Sequence, residues 1–360
     1  MSRAARSAPA IVPPAPETSG LLMVDKPAGP TSHDIVAIVR RALSAPGAGH
    51  LGTLDPPATG LLVVALGAAT RCIHLWQGGE KTYEATLAFG VETSTDDLAG
   101  EVVARHEDRV DEAAIRAAAL ALTGEILQVP PMVSALKVRG RRLHEMARAG
   151  LTVERVARRV RVTEWTWLEF NWPEARARIR CSGGTYVRAL ARDLGAALGC
   201  GAALSALRRL RSEPFGLEHA VTCDELRTRD AASLWASGGI PLAAALAGRP
   251  GLEITAEEAE KLAHGNPFPR SVDAFALPTG AGMAGGPGAA GAVVGAADGA
   301  ADGKPAADSG SEAKDGTLVL WDTAKIPLAL AAWRPDPLDP ALGWIRPRVV
   351  FPWALGERGR

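Results

Sequence analysis

Cysteine is scarce and scattered in this chain. Four residues, Cys72, Cys181, Cys200 and Cys223, are spread through 360 positions with no CxxC pair. That spacing argues against both a disulfide framework and a structural zinc site. There is no net charge to announce a nucleic-acid binder, since 40 Lys+Arg face 40 Asp+Glu. Tyrosine occurs twice, at Tyr83 and Tyr186. No stretch is apolar for long enough to span a bilayer. The Ala/Pro-rich start, Met1 to Ser19, has two arginines but no apolar core, so it reads as a disordered tail and not a signal peptide. The expectation is a cytoplasmic protein.

What the chain does have is an uneven charge distribution. Lys137, Arg139, Arg141, Arg142, Arg148, Arg155, Arg158, Arg159 and Arg161 are opposed only by Glu145 and Glu154 in the same stretch. A second basic group follows at Arg188, Arg192, Arg208, Arg209 and Arg211. Such an asymmetry suits a polyanion on one face, although basic runs also serve as plain solvated surface.

Length favours one large domain and a smaller one. Leu21–Val24 reads as a strand and Asp25–Pro30 as a turn. Thr31-Ser32 then caps a helix on which Ile35, Val39 and Leu43 recur. Leu61–Leu66 looks like a buried strand. In Lys81–Phe89, Tyr83, Ala85, Leu87 and Phe89 share one face. Asp111–Leu122 is an Ala-rich helix closed by Gly124. Arg158–Phe170 and Ala175–Cys181 read as strands, and Thr185–Leu198 as a helix. Further on, Ile254–His264 is helical and Thr317–Trp321, Pro327–Trp333 and Trp344–Phe351 are strand-like. Without a βαβ rhythm, the mixture points to α+β.

Gly49–Gly60, GHLGTLDPPATG, carries the most chemistry. Glycines allow close approach of a ligand to backbone, while Pro56 holds Asp55 extended and Pro57 stiffens the exit. The loop therefore presents one carboxylate beside Thr53, Thr59 and His50. Taken alone, it is equally a Gly/Pro connection whose Asp satisfies backbone amides.

The loop does not stand alone. Five stretches occur in order: VDKPAGPTSHD (Val24–Asp34), GHLGTLDPPATG, KTYEATLAFGVETSTDD (Lys81–Asp97), QVPPMVSALKVRGRRLHEMARAG (Gln128–Gly150) and CSGGTYVRALARDLGAALGCGAALSALRR (Cys181–Arg209). Together they closely resemble the TruB family, the bacterial tRNA pseudouridine(55) synthases. Leu51 and Pro57 depart from the Thr and Leu common in that family's loop. The resemblance implies an α+β pseudouridine synthase fold, a mixed, mainly antiparallel sheet with flanking helices, plus a small C-terminal β-rich PUA-like domain. Residues 20–248 would form the catalytic domain, with a basic RNA-clamping insertion at about 129–158. The PUA-like domain would cover 249–354, interrupted by a disordered Ala/Gly-rich insertion at about 278–315. Residues 1–19 and 355–360 would be tails.

By the same resemblance, uracil is detached from C1′ of uridine 55 in the tRNA T arm and rejoined through C5, with no metal and no cofactor. Asp55 corresponds to the family's catalytic aspartate and Arg188 to the arginine that pairs with it. Tyr83 matches a tyrosine that stacks on the target base, though its place on an apolar face also fits a core residue. Tyr186 matches a second active-site tyrosine and Leu207 the apolar wall of the uracil pocket. His50 matches a histidine that fills the space of a flipped base, with core or cap service as the other reading. Lys26 fits either a phosphate contact or loop support. Lys137, Arg139, Arg141 and Arg142 would hold RNA phosphates, with salt-sensitive affinity, and the uridine would have to be extruded. The partner is then the T-arm stem-loop of tRNA, met by a monomer without an obligate protein partner. Other readings are the catalytic subunit of a guide-RNA-directed synthase, a tRNA chaperone without required catalysis, and a nucleoside-cleaving hydrolase.

Overall fold

The computed structural model describes residues 19–134, 155–271, 317–339 and 342–354, with the backbone of 137–138 and 141–142. The chain forms two compact units, Met1–Gly248 with Phe351–Arg360, and Arg249–Val350.

The first unit is built on a mixed sheet. Its main path runs β14 (Val221–Thr222), β1 (Gly20–Lys26), β3 (Thr59–Leu66), β12 (Ala202–Ser212), β4 (Lys81–Phe89), β11 (Glu174–Cys181), β10 (Arg158–Asn171) and β7 (Gly124–Gln128). Most neighbours are antiparallel; β1 with β14 and β3 with β12 are parallel. β2 (Ala48–His50) adds to β3, and β15 (Gly239–Pro241) adds to β1. A hairpin, β5 (Val91–Thr93) and β6 (Val102–Arg105), follows β4.

Two apolar layers cover this sheet. Inward-facing Tyr83, Ala85, Leu87, Ala177 and Ile179 pack with Ile115 and Ala119 of helix α3 (Glu112–Ala121) and Leu190 and Leu194 of helix α4 (Val187–Leu198). A second cluster joins Leu22, Val24, Leu62 and Val64 to Ile35 and Val39 of helix α1 (Ser32–Ala42). Each fully buried Leu or Ile here contributes about 1.5–3 kcal/mol. Thr31 closes a capping box with Asp34 and so fixes where α1 starts. On β11 the arginines alternate outward, and Arg178 and Arg180 pair with Glu84 and Glu80 at 2.8 and 2.6 Å.

Several expectations need correction. Asp25 and Lys26 belong to β1 and not to a turn, because β3 continues the ladder to Lys26↔Gly60. Ser19 is buried, not tail: its carbonyl accepts from Leu242 N–H and its hydroxyl from Ala68 N–H. The helix after Asp111 ends at a Leu122 cap, and Gly124, at φ +97°, opens β7 instead of closing the helix. The eleven-residue strand β12 was not read from the sequence. Two register irregularities, at Leu204/Ala206 and Arg209/Arg211, break the alternation that would have revealed it.

The second unit holds a five-stranded sheet in the order β16 (Gly251–Glu253), β18 (Thr317–Trp321), β19 (Pro327–Pro335), β20 (Leu342–Val350), β17 (Phe268–Ser271), and, among its described residues, one helix, Ala256–Ala263. Leu262, Phe268, Val319, Leu320, Leu330 and Ile345 are among its buried apolar residues. The Ala/Gly-rich stretch at 278–315, the N-terminal segment before Ser19, and 355–360 lie outside the described residues.

Candidate active site

The loop between β2 and β3 is held from behind by two buried cations. Lys26 donates to the carbonyls of Pro27, Pro56 and Ala58 at 3.0, 3.0 and 2.7 Å. Arg209 donates to Leu61, Thr53 and Gly52 carbonyls at 2.7, 3.3 and 3.0 Å. Ser32, also buried, both accepts from Leu54 N–H and donates to Leu54 O, each at 2.9 Å. Leu51 and Leu54 anchor the loop in the core. Lys26 is therefore loop support, the second of its two sequence readings. Gly60, at φ +97°, passes so close to Arg209 that a Cβ there would run into its backbone. The outcome is a loop whose carbonyls are satisfied inward and whose Asp55 side chain, 37% exposed, points out.

Arg188 meets that carboxylate. It lies in the first turn of α4, is 5% exposed, and its Nε donates to Asp55 Oδ2 at 2.9 Å. The remaining arms of the fork donate to Thr95 O at 2.7 Å and Val133 O at 2.9 Å. A second carboxylate, Asp97 Oδ2, stands 3.6 Å from the same Nε. A guanidinium so enclosed keeps its direction, because each of its three nitrogens donates to a fixed oxygen. Asp97 is itself oriented: its Oδ1 accepts from Thr95 Oγ1 at 2.6 Å and Ala99 N–H at 3.1 Å. One helical turn along, Arg192 pairs with Asp96 at 2.9 Å and with Asp193 at 2.8 Å. Burial pushes the Asp96 carboxyl up, and Arg192 opposes it.

Asp55, Arg188 and Leu207 line one cleft of about 40 Å³, together with Asp97, Leu98 and Leu204. Its walls are apolar and its floor charged. Tyr83 does not line this cleft. It is 7% exposed in the core beside Arg209, and burial pushes its hydroxyl above the usual range. Tyr186 is the residue before α4, half-buried, with its hydroxyl likewise raised by burial. His50 sits on β2, edge-on to His33 at 5.3 Å between ring centroids. Burial, reinforced by His33 and Arg209, holds its imidazole down at about 4, so it is neutral at pH 7. Among the described residues its Nδ1 finds no partner.

The second basic group is largely engaged within its own chain. Arg188 and Arg209 are buried on oxygens of their own chain, Arg208 grips Asp25 at 3.0 and 2.7 Å, and Arg211 pairs with Glu213 and Glu218. Counting charges could not reveal this, because the neutralising partners are up to 183 residues away. Of the first basic group, Lys137–Val138 and Arg141–Arg142 pair as a short antiparallel ladder. Arg139 lies outside the described residues. Sequence reasoning missed Asp97. The adjacent hydroxyls and carboxylates of Thr93–Asp97 were the available signal, since such residues bond their own backbone and hold a sharp turn.

The family model described as TruB family pseudouridylate synthase (N terminal domain) matches residues 40–187. That described as tRNA pseudouridylate synthase B C-terminal domain matches residues 188–238. The chain is 49% identical over 257 residues to a Thermobifida fusca protein named tRNA pseudouridine synthase B, covering 69% of this chain and 85% of that protein. A Burkholderia lata protein of the same name is 45% identical over 254 residues, covering 70% and 78%. Among solved structures, a Cbf5-Nop10-Gar1 complex superposes with a TM-score of 0.63 at 25% identity, covering 93% of this chain and 85% of that one. An H/ACA RNP bound to a substrate RNA containing 2′-deoxyuridine gives 0.60 at 23% identity, a likeness of fold.

Proposed function

The chain belongs to the TruB family of pseudouridylate synthases, and from that premise we propose that it isomerises uridine 55 in the T arm of tRNA to pseudouridine, with Asp55 as its catalytic carboxylate. The observation that carries the reading is the Asp55–Arg188 pair on a braced loop at the foot of an apolar-walled cleft. Relatives that share nearly half of its residues over most of their length are named tRNA pseudouridine synthase B.

The reaction breaks the C1′–N1 bond, turns the uracil, forms C1′–C5 and releases the C5 proton, while N1 ends protonated. No electrons are gained or lost. An ionised carboxylate can serve as nucleophile toward C1′ or the base, or as the base that starts a glycal route. Each route needs a free oxygen next to the sugar. Arg188 engages Oδ2, and among the described residues none bonds Oδ1. Arg188 also fixes the position of that carboxylate beneath the flipped nucleoside. Leu204 and Leu207 would pack the uracil faces, Tyr83 and Tyr186 would complete the pocket once it opens, and His50, neutral, can occupy the stack that the uridine leaves. Lys137, Arg139, Arg141 and Arg142 would bind T-arm phosphates. Residues 20–248 form the catalytic domain in this reading, and 249–354 a PUA-like RNA-binding domain interrupted at about 278–315. The enzyme would work in the cytoplasm as a monomer. Among the described residues, no helix is long and apolar enough to cross a membrane.

The test is tritium release from a [5-³H]uridine T-arm transcript without added cofactor. Wild type should release tritium from one uridine, and Asp55→Asn should be slower by more than about a thousandfold with tRNA binding retained. Activity only with added guide RNA and protein partners would favour the guide-directed reading, toward which the Cbf5 likeness points. Binding without release from either protein would leave a chaperone, and free uracil would mark a hydrolase.

A further inference from the structure

Arg188 can serve Asp55 only if the first turn of α4 is held still, yet that turn has no side-chain cap of its own. Its N-cap position is Tyr186. The support comes from Gln128, the last residue of β7, 1% exposed and 58 residues earlier in the chain. Gln128 Oε1 accepts from Tyr186 N–H at 2.8 Å, and its Nε2 donates to Tyr186 O at 3.1 Å. A carboxamide offers a donor and an acceptor side by side, so Gln128 pairs with the Tyr186 backbone as a neighbouring strand would. The opposite orientation of the amide would set donor on donor and acceptor on acceptor.

The residues just after Gln128 are tied to the same helix. Arg192 donates to Val129 O and Arg188 to Val133 O, each at 2.9 Å. The segment 128–133 is thus fastened to α4 and its N-cap at three places, and Gln128 is the one of the three that carries no charge and touches neither Asp55 nor Asp97.

We infer that Gln128 is a positioning residue for catalysis: its reciprocal bonds to Tyr186 fix the start of α4 and thereby aim the Arg188 guanidinium at Asp55. The inference rests on the synthase reading above. Gln128 acts through Arg188, so its loss should lower the rate of the chemical step and leave RNA capture intact.

The experiment uses the full chain with the T-arm transcript, comparing wild type, Gln128→Met, Arg188→Lys and the double variant. Methionine keeps length and volume and removes both bonds. At saturating transcript, the single-turnover rate of Gln128→Met should fall roughly 30-fold, as misplacement of a reacting group by a fraction of an ångström does. Its Kd for the transcript should stay within about twofold. In the Arg188→Lys background, Gln128→Met should cost less than about threefold more, because the two changes break one unit. A rate within twofold of wild type overturns the inference, as does a loss confined to Kd, or a full 30-fold penalty repeated in the Arg188→Lys background. If Gln128→Met does not fold, Gln128→Glu, which keeps the acceptor for Tyr186 N–H and loses the donor, is judged by the same three criteria. An inactive wild type would instead overturn the synthase reading, whereas an active wild type with an unaffected Gln128→Met removes this inference alone.

Discussion

Arg188 receives carboxylates from two loops that are built in opposite ways. The Asp55 loop is braced from a distance: Lys26 reaches Ala58 across 32 residues, and Arg209 reaches Gly52 across 157. The Asp97 loop is braced mostly by itself. Thr93 and Thr95 hydroxyls donate to Asp97 O at 2.6 and 3.2 Å, Thr95 donates again to its carboxylate, and Ser94 accepts from Glu101 N–H. Outward it is tied to β12, through Leu98 N–H to Leu204 O and Leu204 N–H to Asp96 O, each at 3.0 Å, and to α4, where Arg188 donates to Thr95 O and Arg192 to Asp96 Oδ2. The difference separates two kinds of preorganisation. Asp97 is aimed by its own neighbours and would hold its turn in many settings. Asp55 is aimed only when β1, β3 and β12 are already assembled, so its geometry is a property of the folded sheet.

The sharpest way to break that comparison is to remove one distant brace. Arg209→Met keeps the aliphatic stem and strands three carbonyls without donors. Stability should drop by about 3 kcal/mol or more, as buried acceptors left unpaired require. Urea unfolding measures that loss. Amide exchange should rise across 52–58 and stay near wild type across 94–99, and a uniform rise would show that both loops depend on the same support. Next in size is Asp97→Asn, which keeps the Thr95 and Ala99 bonds but sets a neutral group beside Arg188. The rate at saturating transcript should fall about 10- to 100-fold with the melting temperature little changed. A wild-type rate would mean that the Asp97 charge plays no part in holding the guanidinium.

The smallest effect concerns the entry to the Asp55 loop. His50 titrates near 4 when folded, against 6.5 in an unfolded chain. Between those values the unfolded state binds the proton that the folded state refuses. The stability due to neutral His50 is therefore complete above about pH 6.5 and lost as pH falls toward 4. The imidazole is partly solvated, so the discounted contribution is about 2 kcal/mol or less. His50→Gln should flatten the loss of stability between pH 6.5 and 4 measured by denaturant titration. An unchanged acid limb would place the titrating group elsewhere.

Sequence periodicity located the elements that carry one buried face. Ile35, Val39 and Leu43 marked α1, and the alternation of Tyr83 to Phe89 marked β4, because a helix or half-buried strand exposes its pattern residue by residue. β12 stayed hidden since Arg209 faces inward to carbonyls and its irregularities interrupt the alternation. The likeness of five ordered motifs singled out Asp55 and Arg188, which the fold then brings to 2.9 Å. Periodicity had no means of pairing them.

The amino-acid sequence by itself determined the family and, through that likeness, the mainly antiparallel α+β architecture. Only the tertiary structure decided what each cation does. Lys26 and Arg209 are props, Arg208 is a strand-to-strand clasp, and Arg188 is the partner of two carboxylates. A charge in a sequence has only a sign, whereas its function depends on which oxygens stand within hydrogen-bond reach, and those arrive from segments tens to hundreds of residues away.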